Sequence, residues 1–210
     1  ELYSYMRELA PEGIVVGIDE VGRGALAGPL VVACVALPDE PQIVGLDDSK
    51  KLSPKRREEL AAQIDELALG AGIARVEPEE IDACGMAASL RVAMVRALTA
   101  CKCDLAVRGN DDDIATVLID GNPVHIHEGE LCVVKGDGKI ACIAAASIAA
   151  KVARDKLMCA YAQDYPAYGF EGNKGYGSAA HIAALKEHGA SSIHRRSFLG
   201  NILAEQQSLL

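Results

Sequence analysis

Apolar residues recur along this chain at two spacings. Residues 14–19 (IVVGID) and 30–37 (LVVACVAL) are short β-branched runs separated by Gly and Pro, and they predict two strands joined as a hairpin. After Ser53-Pro54, a helix start, Leu60, Ile64 and Leu67 recur at helical spacing until Gly70. Residues 72–77 are a weaker strand candidate, and from Pro78 to about Cys101 the pattern is helical with a break near Gly85. An acidic loop, RGNDDD at 108–113, precedes a predicted strand at 115–120; another at 131–135 closes on Gly136-Asp137-Gly138. Residues 140 to about 162 read as a long helix, rich enough in Ala to lie close against a sheet. Residues 165–177 read as a loop, Ser178 caps a short helix that Gly189 ends, and a last helix follows Arg196. Strands that begin as a hairpin and later alternate with helices predict an α/β fold with a mixed sheet covered by helices.

Composition narrows this further. The 210 residues, 50% of them hydrophobic, suffice for one ordinary domain with a sizeable core. Seven Cys (34, 84, 101, 103, 132, 142, 159) are odd in number, scattered and mostly inside apolar runs, and so read as small core residues in a reducing compartment. Cys101 and Cys103 form a lone C-x-C, too little for a zinc site. The opening ELYSYMRELAPEG lacks the blocks of a signal peptide, and no apolar stretch approaches the ~20 residues that span a bilayer. The expectation is a soluble, cytoplasmic protein with no membrane partner. A net charge of −9 argues against a nucleic-acid partner, yet basic residues cluster at Lys50, Lys51, Lys55, Arg56 and Arg57, at Lys151, Arg154 and Lys156, and at Arg195 and Arg196. Each cluster alone reads more readily as a solvated helix face.

Four carboxylates stand where predicted strands end: Asp19 with Glu20, Asp120, and Asp137 in the loop after the next strand. Such side chains can converge, and several like charges at one spot repel unless a cation binds or some carry protons. Hard cations such as Mg²⁺ and Mn²⁺ prefer these oxygen ligands, and a cluster of this kind can hold two ions for phosphodiester hydrolysis. Taken singly, Asp120-Gly121-Asn122 and Gly136-Asp137-Gly138 are ordinary turns. Residues 22–27 formally match the dinucleotide fingerprint G-x-G-x-x-G/A, but Pro29 and a β-branched run follow where that fingerprint must open a helix. VKGDGKI fails as a phosphate-binding loop, with Val133 where the first Gly should be and Ile140 where Ser or Thr should follow Lys. A Gly-Arg-Gly turn beside the carboxylates can bring backbone close to a sugar whose 2′-hydroxyl both donates and accepts. His125 and His127 would share one face of a strand, a weak metal signal. Tyr165, Tyr168 and Tyr176 in the Gly-rich loop can pack inward or present a flat face to a sugar or base.

In order along the chain, GIDEVGRGALAGP, GLDDSKKLS, LIDGN, KGDGKIACIAAASIAAKVARD, YPAYGFEGNKGYG and HRRSF resemble the signature stretches of the ribonuclease HII family, covering about residues 13–198 and closest to its bacterial members. The resemblance implies a ribonuclease H-like mixed five-stranded sheet with flanking helices and a helical C-terminal portion. It also implies a single type 2 ribonuclease H domain over 1–210, with a catalytic core at about 13–163 and a helical part at about 164–210. It further implies an endoribonuclease that cuts the RNA strand of RNA/DNA hybrids and incises 5′ of ribonucleotides embedded in duplex DNA, for ribonucleotide removal in replication and repair.

By the same resemblance, Asp19, Glu20, Asp120 and Asp137 would be the acidic residues holding two Mg²⁺ or Mn²⁺ ions. Asp19 and Glu20 are adjacent, so their side chains diverge, leaving Glu20 its backbone carbonyl or a place one layer out from the metal. Gly22, Arg23 and Gly24 would read the 2′-hydroxyl, Tyr176 would stack on the following sugar at an RNA-to-DNA junction, and Lys50, Lys51 and Arg195 would lie near backbone phosphates. A monomer is expected. Ala25 stands where the family has Pro, and Ser178 where it has Thr; the loop with Asp111, Asp112 and Asp113 matches nothing in the resemblance. Three other readings stay open: a resolvase- or transposase-like nuclease, a binding module that has kept the fold, and a dinucleotide-dependent oxidoreductase.

Overall fold

The computed structural model describes residues 1–200 and Ile202. Strand β1 (Ile14–Val21) pairs antiparallel with β2 (Leu30–Ala36), Asp19 facing Ala33 and Glu20 facing Val32. On its other side β1 pairs in parallel with β4 (Ile114–Asp120), which pairs in parallel with β5 (Glu130–Val133). With β3 (Gly70–Val76) at the far edge the order is β3-β2-β1-β4-β5, the mixed five-stranded sheet expected. β1 and β2 are buried along nearly their whole length, as their β-branched runs require. The carboxylates of β1 and β4 therefore reach the end of the sheet on its central strands.

Helices α1 (Leu2–Leu9), α2 (Pro54–Leu67), α3 (Pro78–Cys84), α4 (Met86–Val107), α5 (Ala141–Asp164), α6 (Phe170–Asn173) and α7 (Ala179–His188) complete the described elements. The Ser53 hydroxyl caps α2 and Pro54 starts it, but the helix ends at Leu67, and Gly70 opens β3 instead of closing the helix. The expected break at Gly85 separates α3 from α4. The Ala-rich face of α5 touches β1 backbone to backbone: a Cβ on Gly17 would lie 2.2 Å from the carbonyl carbon of Cys142. Ala141, Ala144, Ala145 and Ala146 are fully buried there, and any larger side chain would push helix and sheet apart at a cost of about 1–3 kcal/mol.

Two segments depart from the sequence expectations. Helix α1 has no counterpart in them: with only Tyr3 and Met6 buried and no side-chain cap, its eight residues carry too short a pattern to stand out. His125 and His127 do not lie on a strand. The Glu130 carboxylate accepts from the amides of Val124, His125 and Ile126 at 2.8, 3.1 and 2.8 Å, folding that segment into a loop with His125 at φ 58°. The loop at 165–177 contains a 3₁₀ turn, Pro166–Tyr168, and α6. The helix expected after Arg196 opens as the 3₁₀ turn Arg196–Phe198, and its later part lies outside the described residues. All seven Cys are free; Cys34, Cys101 and Cys142 are buried, but Cys84, Cys103 and Cys159 are exposed, so only part of the set belongs to the core. Among the described residues no helix is long and apolar enough to cross a membrane.

The chain divides into two compact units. One comprises 1–21, 31–75 and 91–152, with its core between the sheet, α1, α2 and the first half of α5. The other comprises 22–30, 76–90 and the chain from 153 on, with a core of Ala27, Met158, Tyr168, Phe170, Leu185 and Leu199.

Candidate active site

In the first unit, Asp19, Asp120 and Asp137 each place a carboxylate oxygen within 4.8 Å of the others. Asp19 stands near the end of β1 and Asp120 ends β4, while Asp137 is in the tight 3₁₀ turn Gly136–Gly138 after β5. That turn is entered through Lys135 in a left-handed conformation, and the Gly136 amide donates to Asp120 at 2.8 Å, fixing one carboxylate against the backbone that carries another. Asp19 and Asp137 are buried and Asp120 is half-buried.

The electrostatics of this cluster are unfavourable to the protein alone. Burial pushes the Asp19 carboxyl up to about 7, and the charges of Glu20 and Asp120 add to the rise. Two donors oppose it: the Ser147 hydroxyl, and the Glu20 amide at 2.8 Å. Asp120 is also raised, by burial and then by Asp137, against the Gly136 amide. All three candidate ligand atoms are carboxylate oxygens, and the exposed Lys50 ammonium near Asp137 offsets only part of their repulsion, which fits a hard divalent cation. Glu20 is half-buried and its carboxylate is not among the clustered oxygens.

Lys50 and Lys51 sit in the loop before α2. Lys50 Nζ reaches Asp137 at 3.3 Å while its side chain stays largely exposed, and Lys51 pairs with Asp47 at 2.9 Å. Burial would lower the Lys50 ammonium, but Asp137 and Asp48 outweigh it and hold the group above its ordinary value. In the same loop Ser49 Oγ lies 2.9 Å from Ser147 Oγ, both buried, so two hydroxyls stand in line behind Asp19.

In the second unit, the Gly22-Arg23-Gly24 turn is held from beneath by two buried arginines. Arg154 donates to the carbonyls of Pro29, Ala27 and Lys174 at 2.9, 3.0 and 2.8 Å; Arg195 donates to those of Gly28 and Arg23, each at 3.0 Å. Gly22 has φ 86°, and a Cβ there would sit 2.2 Å from Arg154 Nε. Gly24 is different: its φ is not positive, and an added Cβ would meet nothing within 4 Å. The Gly22 amide donates to the Tyr176 hydroxyl at 3.1 Å, and Arg154 Cζ lies 5.4 Å from the Tyr176 ring centroid. Tyr176 is 38% exposed, whereas Tyr168 is buried and stacks on Phe170.

The ribonuclease HII family profile matches residues 16–200. The chain belongs to the ribonuclease HII family. A ribonuclease HII from Dechloromonas aromatica (strain RCB) is 49% identical over 203 residues, 96% of this chain and 98% of that protein. One from Bacillus subtilis (strain 168) is 43% identical over 197 residues, 93% of this chain and 74% of that protein. The crystal structure of ribonuclease H2 from Pyrococcus horikoshii OT3 is similar with a TM-score of 0.72 at 25% identity, over 93% of this chain and 99% of that one. As a member of the ribonuclease HII family, the chain is a ribonuclease H, a hydrolase acting on the RNA strand of RNA/DNA hybrids.

Within this ribonuclease HII chain, Arg195 is the sequence-predicted site residue whose placement differs most from expectation. Its side chain is fully buried, with Nε and Nη1 on backbone carbonyls, so it presents no surface to a phosphate. The family resemblance places it near backbone phosphates; its burial comes from partners 167 and 172 positions away. Sequence reasoning also missed Ser49, Ser147 and Arg154. Arg154 and Ser147 lie in the Ala-rich stretch of the signature, where a polar residue in an apolar helix was the signal available.

Proposed function

We propose that this enzyme cleaves on the 5′ side of a ribonucleotide, including one embedded in duplex DNA, by metal-assisted hydrolysis, as a step in ribonucleotide removal during DNA replication and repair. The observation that carries the reading is the convergence of Asp19, Asp120 and Asp137 oxygens within 4.8 Å in a largely buried cluster whose repulsion Lys50 offsets only in part.

These three carboxylates would hold the cations, with Glu20 lending its backbone carbonyl or standing one layer out. Two Mg²⁺ or Mn²⁺ ions bound there would supply an activated water and counter-charge for the leaving oxygen. The water oxygen adds to phosphorus, the P–O3′ bond breaks, and the products carry a 5′-phosphate and a 3′-hydroxyl. Asp19 is held in one orientation by the Glu20 amide and Ser147 hydroxyl, and Lys50 and Lys51 offer exposed ammonium groups to the backbone phosphates. At the turn, the absence of a side chain on Gly24 serves the approach of the ribose, since the fold makes no demand for glycine there. Gly22 and Arg23 complete the reading of the 2′-hydroxyl. Tyr176, held by Gly22, offers its exposed ring to the sugar that follows. Arg195 acts through the turn it holds.

The test is a DNA duplex carrying one ribonucleotide, incubated with the protein in Mg²⁺ or Mn²⁺ and with chelator. Incision immediately 5′ of the ribonucleotide, abolished by chelator, is expected. A protein that cuts neither this duplex nor an RNA/DNA hybrid in either metal would falsify the reading.

A further inference from the structure

Two histidines that the catalytic reading leaves unused, His181 in α7 and His194 before Arg195, are buried with their Nε2 atoms 3.0 Å apart. The groups at each end of the pair settle where its protons are. The Ser191 backbone N–H donates to His194 Nδ1 at 3.0 Å, and Ser191 Oγ lies 2.7 Å from the same atom. A backbone amide can only donate, so His194 Nδ1 is the acceptor and the His194 proton is on Nε2. That proton points at His181 Nε2, which must then accept, placing the His181 proton on Nδ1. His181 Nδ1 in turn lies 2.9 Å from the Tyr176 carbonyl, which can only accept. One fixed donor and one fixed acceptor thus orient the whole chain of bonds, and both imidazoles are neutral with a single tautomer each.

The surroundings keep them so. Phe170 packs edge-on against His181 at 5.4 Å, and Tyr168 lies 4.8 Å from the His194 ring. Burial lowers the affinity of both rings for a second proton. What the pair holds is Tyr176. Its carbonyl also accepts from Ser178 N at 2.8 Å, its amide donates to the Asn173 carbonyl at 2.9 Å, and its hydroxyl accepts from the Gly22 amide.

We infer that His194 and His181 form a positioning relay that fixes Tyr176 and, through its hydroxyl, the Gly22 amide, and that the relay thereby sets the enzyme's preference for a ribose-to-deoxyribose junction over a continuous RNA strand. The second half of this statement rests on the assignment of Tyr176 to the junction sugar; the first half does not. Neither histidine touches substrate.

Two readouts separate the halves. Amide exchange at Gly22, followed by NMR, reports how firmly the Tyr176 hydroxyl is held. His181→Leu should speed it about tenfold, the equivalent of one lost hydrogen bond. His181→Asn, whose amide N–H takes the place of Nδ1–H, should restore slow exchange, and Tyr176→Phe should match His181→Leu. The second readout is the ratio of kcat/KM on a single-ribonucleotide duplex to that on an RNA/DNA hybrid. It should fall several-fold in Tyr176→Ala and in His181→Leu, recover in His181→Asn, and show no further loss in the double variant. If His181→Leu does not fold, His181→Leu/His194→Leu removes the relay without stranding the buried His194 Nε2–H, leaving only the half-buried Ser191 groups to find another partner, and should give the same results. Unchanged Gly22 exchange in the folded leucine variant overturns the relay. A ratio that falls in Tyr176→Ala but not in the leucine variant overturns its role in junction preference. A ratio unmoved by Tyr176→Ala instead removes Tyr176 from the substrate site, with Gly22 exchange still deciding the relay.

Discussion

Beside the ends of β1 and β4, buried carboxylates face one another with too few donors to balance them; beneath the Gly22–Gly24 turn, buried guanidiniums donate half of their hydrogens to backbone carbonyls. Asp19 is pushed up to about 7 by burial and by its acidic neighbours. Arg195 is pushed down to about 10 by burial and by Arg154, and even so stays charged at any pH the protein meets. The anionic region keeps a charge that Lys50 offsets only in part, and the remainder is left for a ligand. The cationic region has used its charge internally, to hold a loop in shape. Like charges gathered in a protein thus have two opposite uses, and the partners of each group tell them apart.

The sharpest way to break this contrast is to neutralise the anionic side. Asp19→Asn should lower cleavage by on the order of a thousandfold in Mg²⁺ or Mn²⁺, while leaving duplex binding largely intact. The same variant should make the metal-free protein more stable. A carboxyl whose folded pKa lies near 7, against about 3.9 unfolded, binds its proton in the folded state across that window. It costs the metal-free fold on the order of 4 kcal/mol at pH 8, a cost that fades as pH falls from about 7 to 4. His194, held down to about 4 by burial and His181, acts with the opposite sign: its stabilisation is full above about pH 6.5 and lost as pH falls toward 4, by about 3 kcal/mol. Thermal melts of metal-free wild type should therefore change little from pH 6.5 to 4, whereas those of Asp19→Asn should fall steadily. A steady fall in both proteins would remove Asp19 from the account.

Gly22 and Gly24 sharpen the cationic side. Gly22→Ala places a methyl group against Arg154 in a left-handed backbone and should cost about 3 kcal/mol of stability, read by denaturant unfolding. Gly24→Ala should unfold at the wild-type midpoint and yet lose activity on the single-ribonucleotide duplex. Equal loss of stability in both variants would show that Gly24 serves the fold and not the substrate. The smallest effect expected is in salt dependence. Lys50→Ala should reduce the slope of log binding constant against log salt by about 1 if its ammonium meets a phosphate as proposed. Arg195→Met should leave that slope unaltered while lowering stability, since its Nη1 and Nε hydrogens are on the Arg23 and Gly28 carbonyls.

The anionic side was far more legible in the sequence than the cationic side. Asp19, Asp120 and Asp137 could be placed because strand ends are a local property: Asp19 and Asp120 follow β-branched runs directly, and Asp137 lies in the Gly-flanked turn after one. Parallel pairing of β1 with β4 and of β4 with β5 then brings those ends together without further information. The neutral histidine pair and the two arginines could not be found this way. Arg154 and Arg195 meet carbonyls 125 to 172 positions distant, and a carbonyl has no sequence signature. The resemblance accordingly gives Arg195 a place near phosphates, and nothing in the sequence marks it as buried. His125 and His127 failed for a related reason: alternation suggested a strand, but the Glu130 carboxylate offered the same amides a better set of acceptors.

The bond from Arg195 to the Arg23 carbonyl sets more than the position of a loop. In a trans peptide the carbonyl of one residue and the N–H of the next point in opposite directions. With the Arg23 oxygen drawn toward the guanidinium, the Gly24 N–H is turned the other way. A buried cation thereby orients a peptide dipole, and the hydrogen it turns outward belongs to the residue whose missing side chain leaves open space. An arginine that never meets the nucleic acid in this way decides which end of a peptide bond a ribose would encounter.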